Sequence, residues 1–112
     1  MALASAAAHR GLWHLTGYVA AKHAVLGLVR GLAADLRGTG VTATAVSPGS
    51  TRTAMLEATA AIYGLADPAE LAGEQDRLLE PEEVAAALCW LAGAGSSAVT
   101  GSVLHADGGF LG

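Results

Sequence analysis

Residues 16 to 49 run from a long helix-forming segment through two glycines and a β-branched stretch to a proline-glycine bend, TGYVAAKHAVLGLVRGLAADLRGTGVTATAVSPG. Strong helix formers dominate positions 16 to 37, and Gly38 with Gly40 supply a stop. The stretch VTATAV, residues 41 to 46, fits a short buried strand that ends at Ser47-Pro48-Gly49. Helix, tight turn and strand in that order make half of a right-handed β-α-β unit. The chain is therefore expected to be α/β with parallel pairing.

The rest of the sequence extends this pattern. Residues 51 to about 80 show weaker periodicity, broken at Gly64 and Asp67-Pro68, and predict a flap of one or two short helices over about 54–80. A second firm helix is predicted from Pro81, with Glu82 and Glu83 in its first turn and Val84, Ala87, Leu88 and Leu91 on its apolar face. Gly93 and Gly95 end it, and SVLHA at 102–106 reads as a strand running into Asp107-Gly108-Gly109. Two short parallel strands cannot bury both faces and both edges of a sheet, so residues 1–112 are expected to form one partial domain.

Composition narrows the partners. With 53% apolar and 14% charged residues the chain is too apolar for disorder. A net charge of −4, with no cluster among its six basic residues, argues against nucleic acid. Cys89 is the single cysteine, which excludes an internal disulfide and fits a reducing cytoplasm; the four histidines show no metal-site spacing, so no metal is expected. No segment approaches about 18 unbroken apolar residues, so no membrane span is expected.

On the 16–37 helix, Tyr18, Lys22, Val25, Val29, Leu32 and Leu36 share one side, which predicts a core stripe. Ala20, Ala24, Gly27, Gly31 and Ala34 line the other. Each glycine costs about 1 kcal/mol of helix stability relative to alanine. Close approach of another helix is the compensation that small residues permit, which points to a homo-oligomer formed through this helix.

Tyr18 and Lys22 stand one helical turn apart on the same face, within reach of a common ligand. An ammonium beside a phenol favours the phenolate and makes the hydroxyl a workable proton donor and acceptor while another species carries a hydride. The same spacing also arises when a half-buried tyrosine is passed by a lysine reaching for solvent. Spacing alone leaves both readings open. His14, His23 and His105 read as surface or packing residues, and Trp13 and Trp90 as core or interface anchors.

Four segments in register resemble the C-terminal half of the short-chain dehydrogenase/reductase family. YVAAK at 18–22 resembles its YxxxK motif, and Ser5 lies 13 residues earlier, where the family's catalytic serine sits. SPGSTRT at 47–53 resembles the PGxxxT cofactor loop, and TGSVLHADGG at 100–109 resembles the closing strand and its turn. The resemblance implies the C-terminal part of a Rossmann-like doubly wound parallel sheet. It implies an NAD- or NADP-dependent oxidoreductase acting on a small alcohol or ketone. Tyr18 would be the general acid/base; Lys22 would favour the phenolate and hold the nicotinamide ribose; Ser5 would donate a hydrogen bond to the substrate oxygen. Pro48 and Gly49 would let the backbone approach the cofactor. Thr51 would touch the nicotinamide amide through its backbone, and Thr53 would bond the carboxamide or phosphate, a role compatible with capping the helix that follows.

The family's glycine-rich turn between its first strand and helix has no counterpart in this reading. The same holds for its catalytic asparagine and the strand leading into Ser5. The chain is therefore expected to be a fragment or truncated form, or alternatively an inactive interaction module working through the small-residue helix face. A hydrolase built on Ser5 and a histidine is a weaker third reading, because no G-x-S-x-G turn is present.

Overall fold

The computed structural model describes residues 1–112. Three parallel strands lie in chain order, β1 (Ala2–Leu3), β2 (Ala45–Pro48) and β3 (Val103–Ala106). β1 aligns Ala2 with Ala45, and β3 aligns Val103 with Ala45 through Ala106 with Pro48. Helix α1 (Thr16–Asp35) joins β1 to β2. Helices α2 (Ala54–Tyr63) and α3 (Pro81–Ala92) lie between β2 and β3.

Alternation along β2 sends successive side chains to opposite faces. Ala45 packs with Leu26 and Val29 of α1, whereas Val46 packs with Val84 and Leu91 of α3. Helices thus cover both faces of the sheet, and the α/β reading with parallel pairing holds. No helix is long and apolar enough to cross a membrane.

Four local expectations change. The strand predicted at 41–46 is formed at Ala45–Pro48 instead. β-branched residues at Val41 and Thr42 have no neighbours to pair with, because β3 begins opposite Ala45, and Val41 is 58% exposed. The strand leading into Ser5, expected outside the chain, is present as Ala2–Leu3. It donates from Ala2 N–H to the Thr44 carbonyl and from Ala4 N–H to the Val46 carbonyl. On α1 the buried positions are Leu26 and Val29, while Leu32 is 42% exposed, so the core seam is narrower than the predicted stripe. Trp13 and Trp90 stand largely in solvent and anchor no core.

The small-residue face of α1 meets no part of the chain: a Cβ added at Gly27 or Gly31 would touch nothing within 4 Å. α3 starts at Pro81 as predicted, with Glu83 accepting from the Glu80 N–H at 2.9 Å. Glu83 also takes two hydrogen bonds from Arg77, both 2.7 Å. These bonds, Arg77 first and then the Glu80 N–H, hold its carboxyl down at about 2. The flap resolves into α2, closed by Gly64 at φ 69°, then a 3₁₀ turn at Pro68–Ala72 capped by Asp67, then a return segment bridged from Leu79 to Thr51.

Candidate active site

In an open parallel sheet the chain must leave every strand at the same edge, and the crevice outside the carboxyl ends of the strands is where ligands bind. Here Ser5 follows β1, the loop 49–53 follows β2, and the first turns of α1 return alongside them. Together with α2 and the 3₁₀ turn of the flap they enclose a cleft of about 500 Å³. All seven residues singled out from the sequence, Ser5, Tyr18, Lys22, Pro48, Gly49, Thr51 and Thr53, line this one cleft.

Ser5 caps a 3₁₀ turn at Ala6–Ala8, its Oγ accepting from the Ala7 N–H at 3.2 Å. That contact uses a lone pair and leaves the hydroxyl proton available to a second partner. Tyr18 and Lys22 are both half-buried, and the ammonium lies 5.6 Å from the centre of the phenol ring. The two side chains therefore converge. Lys22 Nζ also donates to the Leu3 carbonyl at 3.0 Å. Ala2 and Ala4 spend their N–H groups on β2, so Leu3 turns its polar groups to the open edge of the sheet, and Lys22 satisfies one of them. Two of the three ammonium protons remain for a ligand.

The loop after β2 is more tightly held than its sequence signals. Thr51 Oγ1 donates to the Gly49 carbonyl at 3.1 Å, and the Thr51 N–H has no backbone acceptor. Thr53 caps α2, accepting from the Leu56 N–H and donating to the Thr51 carbonyl, both at 3.3 Å. The Thr53 proton is thus engaged within the loop. Gly49 is required by its neighbours in the chain: a Cβ there would lie 2.4 Å from Gln75 Oε1 and 2.6 Å from the Asp107 carbonyl oxygen. Gln75 therefore makes one close approach to Gly49.

Gln75 is the residue that sequence reasoning missed. It is 5% exposed; its Oε1 accepts from the Ser50 N–H and its Nε2 donates to the carbonyls of Ser50 and Arg77 at 3.2 and 3.1 Å. One amide side chain thereby imitates a strand and fastens the flap to the loop, helped by Ser50 Oγ donating to the Leu71 carbonyl. A lone glutamine in a weakly periodic segment carries no pattern that would have found it.

The histidines stand apart from the cleft. His23 meets the Val19 carbonyl at 2.9 Å, and the rings of His9 and His105 lie edge to face 4.6 Å apart. Burial, then the positive charge of His105, His23 and Arg30, pushes His9 below its ordinary value. No group of three metal-ligating side chains comes together anywhere.

The cleft thus pairs a phenol and an ammonium with an unengaged serine proton, beside a loop whose Thr51 N–H is free of the backbone. Donors gathered in this way can hold a ligand rich in oxygen acceptors. Comparison with known proteins gives the family. The sequence profile of the family described as enoyl-(acyl carrier protein) reductase matches residues 1–111. An A-factor type gamma-butyrolactone 1′-reductase of Streptomyces virginiae is 45% identical over 96 residues, covering 83% of this chain and 37% of that protein. A short chain dehydrogenase/reductase of Aspergillus oryzae is 33% identical over 109 residues, covering 96% of this chain and 42% of the relative. Among solved structures, the actinorhodin polyketide ketoreductase with NADPH superposes with a TM-score of 0.85 at 32% identity, covering 96% of this chain and 45% of that one. The chain spans less than half the length of each of these proteins.

Proposed function

The chain belongs to the short-chain dehydrogenase/reductase family, and on that premise we propose that its cleft is the proton-transfer side of an active site that moves hydride between NAD or NADP and a small alcohol or ketone. The observation that carries this reading is the convergence of Ser5, Tyr18, Lys22 and the 48–53 loop on one cleft. When bound, the nicotinamide gives or takes the hydride. The chain's own residues handle the oxygen. Tyr18 gives its phenolic proton to the substrate oxygen in reduction and takes it back in oxidation. The Lys22 ammonium, 5.6 Å from the phenol ring centre, stabilises the phenolate that remains, and its spare protons would be available to hold the ribose hydroxyls. Ser5 directs its free proton at the same substrate oxygen, where negative charge develops. The Thr51 N–H would hold the carboxamide oxygen, while Thr53 shapes the loop through its cap and, with its proton engaged by the Thr51 carbonyl, would accept from the carboxamide NH2 with its remaining lone pair; bonding a phosphate would require that proton to turn away from Thr51.

The dinucleotide phosphates would be held by polypeptide other than these 112 residues, which makes the chain a fragment or truncated form in this reading. The chain-order sheet leaves the Leu3 side of β1 open, the edge to which such polypeptide would add. A second reading, an inactive module that pairs through α1, is favoured by the unfilled face at Gly27 and Gly31. There a homo-oligomer would form, and Gly27→Leu would weaken it in sedimentation.

The test is transfer of label from deuterated reduced nicotinamide to a cyclic ketone, followed by mass spectrometry. Tyr18→Phe should slow it by about 10²–10⁴ without changing the circular dichroism. An equally active Tyr18→Phe protein would remove Tyr18 from the chemistry.

A further inference from the structure

The lining of the cleft divides into a polar end and an apolar arm. Away from Ser5, Tyr18 and Lys22, the wall is built by Leu12 and Leu15 ahead of α1, Met55 and Leu56 on α2, Leu71 in the flap turn and Phe110 near the C-terminus. Tyr63, which also lines the cleft, donates its hydroxyl to the Trp13 carbonyl, and the two rings lie parallel, 6.3 Å apart.

Charge in the cleft is confined to Lys22 and Glu70. Lys22 is held at the polar end by the Leu3 carbonyl. Glu70 stands in the flap turn, its carboxylate accepting from the Asp67 N–H at 3.4 Å. No arginine lines the cleft, and three of the arginines are each paired with a carboxylate. Arg10 meets Glu74 at 3.6 Å while stacking 5.1 Å from the Phe110 ring centre, Arg52 meets Glu80 at 3.0 Å, and Arg77 meets Glu83 at 2.7 Å. An anionic substituent entering the arm would lose its water, find no cation among the residues lining that arm, and meet Glu70 as the charge beside it. An apolar body would bury against the leucines, methionine and phenylalanine without such a cost.

We infer that the cleft selects alcohols and ketones whose body is uncharged and apolar, and rejects those carrying a carboxylate or phosphate. The inference rests on the oxidoreductase reading for the reacting group but is tested by binding alone. Two cyclohexanones, one with a para methyl group and one with a para carboxylate, are titrated into the protein while the Met55 and Leu12 methyl resonances are followed. The methyl ketone should bind at least tenfold more tightly. Equal or tighter binding of the carboxylate, or no response of those methyls to either ring, would overturn the inference. Glu70→Gln, which keeps an acceptor for the Asp67 N–H, should narrow the preference a few-fold; an unchanged ratio would remove Glu70 from it. Preference with no response of the Tyr18 and Lys22 signals to reduced nicotinamide mononucleotide would defeat the oxidoreductase reading alone, and equal binding of the two ketones with those signals responding would defeat this one alone.

Discussion

Gly49→Ala should be among the most damaging single-methyl additions this chain can receive. The new Cβ would sit 2.4 Å from Gln75 Oε1 and 2.6 Å from the Asp107 carbonyl oxygen, both inside any tolerable contact. Asp107 cannot yield cheaply, since it is buried and its carbonyl accepts the Phe110 N–H at 3.1 Å. Gln75 must move instead, giving up its bonds to Ser50 and to the Arg77 carbonyl. Three buried bonds at about 1 kcal/mol each, with about 1–3 kcal/mol of overpacking, outweigh the roughly 0.4–1 kcal/mol that alanine gains by restricting the unfolded chain. The net loss should be about 3–5 kcal/mol, a large share of the roughly 5–15 kcal/mol that holds a domain together. Urea unfolding followed by circular dichroism measures it. Gln75→Ala alone should cost about 1–3 kcal/mol by stranding the Ser50 N–H and carbonyl. Because the same three Gln75 bonds are lost in either single variant, the double variant should fall short of the sum by about 1–3 kcal/mol, within the range for residues in contact. Strict additivity, or a stability-neutral Gly49→Ala, would refute the clamp.

Ser47 Oγ is fully buried and has no hydrogen-bond partner, so Ser47→Ala should be neutral or stabilising by about 1 kcal/mol in thermal unfolding; a clear loss of stability would mean the hydroxyl has a partner after all. The Glu83 carboxyl, at about 2 against an ordinary 4.5, contributes stability that is present above 4.5 and lost as pH falls through about 2. Arg77→Leu should move the Glu83 side-chain titration in NMR up toward its ordinary value, the Glu80 N–H bond keeping it somewhat low; an unmoved midpoint would assign the depression to something other than Arg77. If the phosphate cradle lies outside these residues, NADH and reduced nicotinamide mononucleotide should bind this chain within about threefold of each other by nicotinamide fluorescence. A tenfold preference for NADH would show an adenylate site within the chain.

Legibility in the sequence followed the physics of each feature. The helix at Thr16–Asp35 and the start of α3 at Pro81 were readable because propensity and caps are local properties. The displaced strand at Ala45–Pro48 and the strand at Ala2–Leu3 were not, because pairing partners decide where a strand begins and an alanine-leucine pair has no strand signature. The cleft residues were legible through the four segments that resemble a known family, because the spacing of Tyr18 and Lys22 alone left two readings open. Gln75 and Glu70 were hidden because their roles depend on how the flap folds back over the loop. The narrow seam on α1 was hidden for a related reason: periodicity gives the apolar side of a helix but not how far along it the sheet extends.

The most direct measurement is an amide and side-chain chemical-shift map of the chain titrated with reduced nicotinamide mononucleotide. The account predicts the largest changes at Ser5, Tyr18, Lys22 and the Gly49–Thr53 loop, together around one cleft. Changes centred instead on His105 and Gly108, or none in the Tyr18 and Lys22 signals, would contradict it.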